Sequence, residues 1–322
     1  MDKSSAQEGL SNLQRATVFA KGLVMGVSDS VPGVSGGTIA LIVGIYERLI
    51  RAISAFDLIA LRLLMRRELL QVWRHIDGAF LLPLALGMGC GLLLSANTVL
   101  YALEHVPIFV GSFFIGLVLA AMLLLRSEFT LRHSPYLLLG AGLVGALGWL
   151  QPSSEPLTSL GLFVAGAVAI SAMLLPGLSG AFILILLGAY ETMLTALVTL
   201  DIGTIAVFSA GCIVGLMVFS RVLRGLLSRF HSEAYSVIGG LLLGSLASIW
   251  PWRVPVTSAS IEGDDPMMRL ALPSEYATSL GVEAHTWIAL GFVGAGLACV
   301  LGLNRLLNSR NSARGISSAQ QE

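Results

Sequence analysis

The heptapeptide PGVSGGT at residues 32–38 recurs as PGLSGAF at residues 176–182. The offset between the two copies is 144 residues, and it continues without a gap to a tyrosine in each copy, Tyr46 and Tyr190. A match of this length at a constant offset indicates an internal repeat. Proline removes a backbone donor and glycine admits conformations that other residues avoid, so each copy predicts a break in a helix.

The composition is typical of a polytopic membrane protein. Of the 322 residues, 55% are hydrophobic and 12% are charged, and the mean hydropathy is +0.84. These values exclude an ordinary soluble domain. The net charge is zero and no basic block carries interleaved aromatic residues, so no nucleic-acid partner is expected. The three cysteines lie in apolar stretches without metal-ligand spacing, so we expect no metal and no redox cofactor.

The predicted breaks fall at Pro32 and Gly33 in the first copy and at Pro176 and Gly177 in the second. In hydrocarbon, a broken helix exposes unpaired N–H and C=O groups, which are tolerated only where protein buries them or water reaches them. Each copy therefore predicts a polar cavity at membrane depth. The first copy has flanks too short for a full crossing, which predicts a re-entrant hairpin. The second, at 158–200, predicts the same, although its flanks are nearly long enough to form two spans.

Outside the hairpins, the apolar segments predict three spans in each half of the chain. Residues 58–77 place leucines between arginines at helical spacing, which predicts an amphipathic helix in the membrane interface. Pairs of residues in the later spans match at an offset of 124, and the missing 20 residues equal the length of this interfacial helix. It is therefore an insertion in the first half, and an acidic outer loop at 251–285 is an insertion in the second. The six spans are predicted at 79–101, 108–125, 136–150, 203–221, 235–250 and 286–306.

The predicted fold is an all-α polytopic membrane protein with a single integral membrane domain over residues 1–322. Its two repeats, 13–150 and 157–307, each contain a re-entrant broken-helix hairpin and three transmembrane helices. An odd number of crossings per repeat inverts the second relative to the first. With both termini inside, all of the 19 lysines and arginines except Arg253 and Arg269 fall on the inner side. This bias supports the N-in, C-in topology.

An inverted repeat with two broken helices predicts a binding site between the halves, near the membrane midplane, with alternating access. After each break a helix restarts, and its first N–H groups have no intrahelical partner and carry partial positive charge. Such a terminus suits a phosphate or carboxylate, and the hydroxyl groups there add donors. The alternative is that these residues only cap the helix ends. The predicted phosphate-binding residues are Ser35, Gly36, Gly37, Thr38, Ser179, Gly180 and Ala181.

Ionisable residues near the bilayer interior are candidates for coupling or gating. Asp29 has no acidic counterpart, because Met173 occupies the equivalent position, and it either binds a coupling cation, a proton or sodium ion, or caps a turn. Arg221 is a candidate phosphate partner, with a flanking charge at the inner boundary as the alternative. For Glu47, the alternative is a snorkelling or paired carboxylate at the membrane surface. The remaining candidates, which follow the hairpins at matched positions, are Tyr46, Tyr190 and Glu191.

The motifs GVSDSVPGVSGGTIALIVGIYERLI at residues 26–50 and LLPGLSGAFILILLGAYE at residues 174–191 resemble those of the bacterial polyprenyl-phosphate transporter family. The resemblance implies a multi-pass flippase of the bacterial cytoplasmic (inner) membrane. It would return undecaprenyl phosphate from the outer to the inner leaflet and so recycle the lipid carrier of cell-wall precursors. Its partners would be this lipid and the surrounding membrane lipids, and a homo-oligomer is left open. Ala181 departs from the family pattern, where a small hydroxyl residue is expected.

Two other functions use similar features. An undecaprenyl-pyrophosphate phosphatase also pairs re-entrant hairpins with a PGxS-type loop, but its chemistry needs cationic groups to stabilise the transferring phosphoryl. Neither Ser35 nor Ser179 is followed by an arginine or histidine within three residues, so transport without bond cleavage is preferred and no catalytic residue is predicted. A carrier of small anions would use the same helix termini without an opening to the lipid.

Overall fold

The computed structural model describes residues 11–31, 35–128, 131–150, 157–255 and 268–319. The chain is mostly helical, and two three-residue strands, β1 (Arg253–Pro255) and β2 (Met268–Leu270), pair antiparallel. In chain order the helices are α1 (Asn12–Asp29), α2 (Gly36–Ile42), α3 (Tyr46–Ser54), α4 (Leu58–Met65), α5 (Leu69–His75), α6 (Gly78–His105), α7 (Pro107–Leu124), α8 (Ser134–Trp149), α9 (Ser159–Leu174), α10 (Gly180–Leu186), α11 (Tyr190–Thr199), α12 (Ile202–Arg229), α13 (His231–Ser248), α14 (Pro273–Leu280) and α15 (Thr286–Ala319).

The two sequence copies form the same helix–break–helix unit. α1 and α2 flank the first break, α9 and α10 flank the second, and both α2 and α10 have seven residues. Each short helix ends at a glycine in the left-handed region, Gly44 and Gly188, both with φ of 69°. The N–H of the next residue then donates to the carbonyl oxygen five residues earlier, at 2.9 and 2.8 Å, which is a Schellman helix end. Pro32 and Gly33, predicted breaks of the first hairpin, lie outside the described residues.

Equivalent helices pack in equivalent pairs in the two halves. α1 lies along α6 as α9 lies along α12, and α7 lies along α15 as α13 lies along α8. Glycines let these backbones approach closely. A Cβ added at Gly22 of α1 would overlap the carbonyl oxygen of Leu84, and one added at the repeat-equivalent Gly166 of α9 would press on that of Phe208. Small residues at helix crossings are a common basis for packing in membranes.

One helix occupies each of the six predicted spans. Among the described residues, four helices carry an apolar stretch long enough to cross a membrane, namely α6, α7, α12 and α15. α10 and α11 reach that length only together, with a 104° bend between them, which is the geometry of a broken span or a re-entrant loop. α8 and α9 have 16 residues each and are shorter. The prediction of a polytopic membrane protein is confirmed. That α8 and α13 each cross the membrane fully stays a prediction.

The prediction of one interfacial helix over 58–77 is wrong, because two helices occupy these residues. Arg67 has a φ of 59° between α4 and α5. The N–H of Glu68 donates to the carbonyl oxygen of Leu63 at 3.0 Å, which again is the hydrogen bond of a Schellman end. The apolar spacing continues through this turn, so periodicity alone does not reveal it. Leu58 and Met65 are exposed, which is consistent with a membrane-facing surface.

The described residues of the loop at 251–285, which is predicted to lie on the outer side, depart from an all-α fold. They include β1, β2 and α14, and strands of three residues are too short for a periodic signal. Two tryptophans anchor the loop. The indole N–H of Trp250 donates to the carbonyl oxygen of Ala271, and that of Trp252 to the carbonyl oxygen of Ala284, both at 2.9 Å.

Candidate functional site

The tips of the two hairpins contact each other between the halves of the chain. The N–H of Gly177 donates to the Thr38 hydroxyl oxygen at 3.0 Å. The Ser35 hydroxyl donates to the carbonyl oxygen of Met173 at 3.3 Å, and Ser35 and Thr38 are both buried. Pro176 is also fully buried. The first hairpin's hydroxyls therefore bond to the end of α9 and to the second break.

Glycine is required at the second break. Gly177 has a φ of 89°, a conformation that other residues rarely adopt. A Cβ added there would lie 2.7 Å from the carbonyl oxygen of Leu241 in α13. Gly180 is similarly crowded, because a Cβ on it would lie 2.5 Å from the Met173 side chain. The break thus packs its backbone directly against neighbouring chain.

The start of α2 is already satisfied by the chain's own groups. The N–H of Gly36 donates to Asp29 Oδ1 at 2.5 Å, and the N–H of Gly37 donates to Ser35 Oγ at 3.2 Å. The Asp29 carboxylate thus occupies the position where the sequence predicts a ligand anion. Of the two roles considered for Asp29, capping is the one seen in this structure, where its carboxylate caps the start of α2. An N-terminal carboxylate is favourable because the first N–H groups of a helix carry partial positive charge.

The start of α10 differs, because Met173 provides no carboxylate there. The Ser179 hydroxyl accepts only a long hydrogen bond, from the N–H of Phe182 at 3.5 Å. Within the part of the chain that the structure describes, the N–H groups of Gly180 and Ala181 donate to no acceptor. Gly180 is buried and Ala181 is exposed. Donors for an anion are therefore available at the second hairpin and are occupied at the first.

The two tyrosine–glutamate pairs have different surroundings. The Tyr46 hydroxyl is buried and donates to the carbonyl oxygen of Leu174 at 2.9 Å. Glu47 Oε1 accepts a hydrogen bond from the Tyr235 hydroxyl at 2.9 Å, and His231 Nε2 lies 3.4 Å from the same oxygen. Neither partner was predicted, because both lie far from Glu47 in the sequence, Tyr235 at a separation of 188 positions.

The equivalent residues of the second pair are less covered, and Glu191 lies in an open polar groove. Tyr190 is 42% exposed. Glu191 lines a groove of about 430 Å³ between α11 and α12. The other groove residues are mostly hydroxyl-bearing or acidic: Thr192, Thr195, Ala196, Thr199, Asp201 and Thr204. The structure therefore brings the first pair into contact with α9 and α13 and leaves the second pair uncovered.

Arg221 does not join the hairpin tips. Its guanidinium donates to the carbonyl oxygen of Met217 at 2.8 Å and to that of Phe56 at 2.5 Å, so it connects α12 to the end of α3. It lines a groove of about 540 Å³ beside Asp57. Partial burial raises the pKa of Asp57, but hydrogen bonds from the N–H groups of Ala60 and Ile59 and from His75 outweigh it and hold that pKa below its ordinary value.

One further contact near the first hairpin was not predicted. Lys21 Nζ donates to the carbonyl oxygen of Val43 at 2.6 Å. Val43 ends α2, where the last carbonyl groups have no intrahelical donor and attract a cation. A lysine in an apolar segment, about three helical turns before a break, is a signal that would have suggested such a role.

Comparison with known proteins identifies the class. Residues 25–263 match a family model described as undecaprenyl phosphate translocase-like, and the chain belongs to this family. A Vibrio cholerae protein named polyprenyl-phosphate transporter is 37% identical over 295 residues, which cover 90% of this chain and 96% of that protein. A Staphylococcus aureus protein of the same name is 32% identical over 252 residues, covering 72% and 84%. No solved structure matches the chain.

Proposed function

We propose that this protein is a flippase that moves polyprenyl phosphate, with undecaprenyl phosphate as the expected lipid, from the outer to the inner leaflet of the bacterial cytoplasmic membrane. The observation that carries the proposal is the meeting of two hairpin tips, one with unoccupied N–H donors, in a chain whose relatives are named polyprenyl-phosphate transporters. A lipid phosphate needs such donors, since its charge must be stabilised away from water.

The proposed architecture is an inverted repeat with both termini inside. It is supported by the equivalent helix pairs, by the equivalent glycine contacts and by the distribution of lysines and arginines. In such folds, one half moves against the other around a fixed site. The hairpin tips lie where the halves meet, so they are the natural place for a site that each leaflet reaches in turn.

The proposed phosphate site uses both hairpins unequally. Ser179, Gly180 and Ala181 provide available donors in the described conformation. Ser35, Gly36, Gly37 and Thr38 provide donors that are now bound to Asp29 or to other parts of the chain. Phosphate can reach the N–H of Gly36 only when the Asp29 carboxylate leaves it.

Asp29 is accordingly the proposed coupling residue. A proton or a sodium ion on its carboxylate would weaken its hold on Gly36 and remove a negative charge from beside the incoming phosphate. Binding of the cation and of the phosphate would then favour each other, which is the requirement for coupled transport. Glu47, Glu191, Tyr46, Tyr190 and Arg221 are proposed to act in gating instead, because each lies at the far end of a hairpin or beyond it.

The test is leaflet exchange of undecaprenyl phosphate in liposomes containing the purified protein. Phosphate release from undecaprenyl pyrophosphate is measured in parallel, and wild type is compared with a Ser35→Ala/Ser179→Ala variant. Exchange without release, lost in the variant, supports the flippase and its site. Release would identify a phosphatase instead. Absence of both activities, with uptake of a small anion, would identify an anion carrier.

A further inference from the structure

We infer that the described conformation faces outward, and that α3, packed on α12 and hydrogen-bonded to α13, is the gate that closes the inner side. The inference rests on the proposed function, because the N-in orientation assigns α3 to the inner surface and α11 to the outer surface. Beyond that function, the inference identifies the helix that moves and the contacts that hold it in place. Neither the family nor the hairpin motif indicates this state.

The argument begins with residues that are equivalent in sequence and opposite in burial. Ile50 of α3 is 1% exposed, whereas its equivalent in α11, Leu194, is 53% exposed. Ser54 is 3% exposed and its equivalent, Val198, is 78% exposed. Two copies of one unit would be covered alike in a symmetric state. The conformation is therefore asymmetric, with the first copy closed and the second open.

Specific hydrogen bonds hold α3 in the closed position. Arg224 of α12 donates to the Ser54 hydroxyl at 3.2 Å, and the neighbouring Arg221 donates to the carbonyl oxygen of Phe56. At the other end of α3, the Tyr235 hydroxyl donates to Glu47 at 2.9 Å. These bonds tie both ends of one short helix to α12 and α13, which belong to the other half of the chain.

The short helices α2 and α10 differ in the same sense. α2 packs against α1, α3, α7 and α9, and its residues are largely buried. α10 packs mainly against α9 and α11, and Phe182 and Ile185 are 40% and 44% exposed. Phe182 is equivalent to Thr38, which is 1% exposed. The uncovered side of α10 adjoins the available donors of Ser179 and Gly180, so a lipid of the outer leaflet could place its phosphate there while its chain stays in hydrocarbon.

Release of the phosphate to the inner leaflet then requires the two halves to exchange these environments. α3 leaves α12 and α13, the bonds of Ser54 and Glu47 break, and α11 becomes covered on the outer side. Because the two halves share their helix pairing, the second state reuses the same kinds of contact with the roles of the repeats exchanged.

The test is a reversible cross-link across the gate. In a protein whose Cys90, Cys212 and Cys299 are replaced by alanine, Ser54→Cys and Arg224→Cys are combined and treated with a short, reducible bifunctional thiol reagent. Undecaprenyl phosphate exchange is measured in liposomes before cross-linking, after it, and after reduction. The two single-cysteine proteins, given the same reagent, are the controls.

The expected result is efficient cross-linking without added lipid, loss of exchange, and recovery on reduction, with no loss in either control. Cross-linked protein that exchanges lipid at the rate of the untreated protein would overturn the gate while leaving the flippase standing. Failure of the pair to cross-link would also overturn it, because α3 would then not rest on α12. Absence of exchange in the wild-type protein would reject the proposed function itself.

Protection from a thiol reagent provides a second measurement that does not depend on the double variant. Ile50→Cys should be unreactive toward a membrane-impermeant maleimide on the inner side of resting protein and become reactive during exchange. Leu194→Cys, probed from the outer side, should change in the opposite sense. Equal reactivity of Ile50→Cys at rest and during exchange would contradict the gate.

Discussion

Thr38 and Gly177, 139 residues apart in the chain, join the two hairpins through a hydrogen bond from the backbone N–H of Gly177 to the Thr38 hydroxyl. Thr38 is 1% exposed, so its hydroxyl has little access to water as an alternative partner. The bond links Gly177, in the predicted break of the second hairpin, to Thr38, in the first turn of α2. It makes the relative position of the hairpin tips a property of the packed core rather than of either hairpin alone.

The first prediction concerns this bond. Thr38→Val keeps the shape of the side chain and removes the acceptor, which leaves the Gly177 N–H without its partner. We expect the free energy of unfolding to fall by about 1–3 kcal/mol, measured by denaturation in detergent. Thr38→Ser retains the hydroxyl and should lose less. A Thr38→Val protein as stable as wild type would mean that the N–H finds another acceptor.

The second prediction separates the two serines. Ser179→Ala should reduce lipid exchange by about tenfold, as expected for loss of one hydrogen bond to a charged group, with little change in stability. Ser35→Ala removes the acceptor of the Gly37 N–H and the donor to Met173, so it should lower the free energy of unfolding by about 1 kcal/mol. Exchange rates and thermal unfolding are measured on both. Equal effects of both variants on exchange would argue against the unequal use of the hairpins.

The third prediction concerns coupling. Asp29→Asn retains an oxygen that can accept from Gly36 but removes the charge that a proton or sodium ion would neutralise. We expect exchange to continue and its dependence on a pH or sodium gradient to disappear. Initial exchange rates with and without each gradient give the answer. Glu191→Gln, which removes a carboxylate in the groove between α11 and α12, is the matched control and should keep the gradient dependence. If the Asp29→Asn protein keeps the gradient dependence, Asp29 is not the coupling residue.

The fourth prediction concerns helix packing. Gly22→Ala and Gly166→Ala each place a methyl group against a carbonyl oxygen of the partner helix, so both should lower the free energy of unfolding by about 1–3 kcal/mol. Gly89→Ala in α6 has open space around the added Cβ and should be neutral or slightly stabilising. Denaturation of the three proteins is compared under the same conditions. Little effect at either packed glycine would mean that the helices separate easily there.

Sequence reasoning succeeded where the signal is local. The repeated PGxSG motif predicted the broken helices, and the long apolar segments predicted the helices of all six spans. It failed at Arg67, since a left-handed arginine between two helices has no compositional mark. It also missed β1 and β2, which are only three residues long.

The surroundings of the candidate site depend on contacts between distant residues, and a local sequence pattern does not predict such contacts. The sequence singled out Asp29 and the start of α2 separately but did not join them, although they are seven residues apart. It placed Arg221 among the phosphate partners, whereas that side chain bonds to Phe56, 165 residues away. Tyr46 and Tyr190 hold equal positions in the repeat, and only the packed structure distinguishes the buried one from the exposed one.

The replacement of one acidic residue by Met173 in the second copy has a consequence for stoichiometry. If the hairpins carry a single ionisable side chain at the tip, one transport cycle has room for one coupling cation per lipid. An anion moving inward works against an inside-negative membrane potential, at about 2.3 kcal/mol per charge per 100 mV. A cation carried with it on Asp29 would cancel one unit of that charge, so the balance between the voltage and the ion gradient is determined by a single carboxylate.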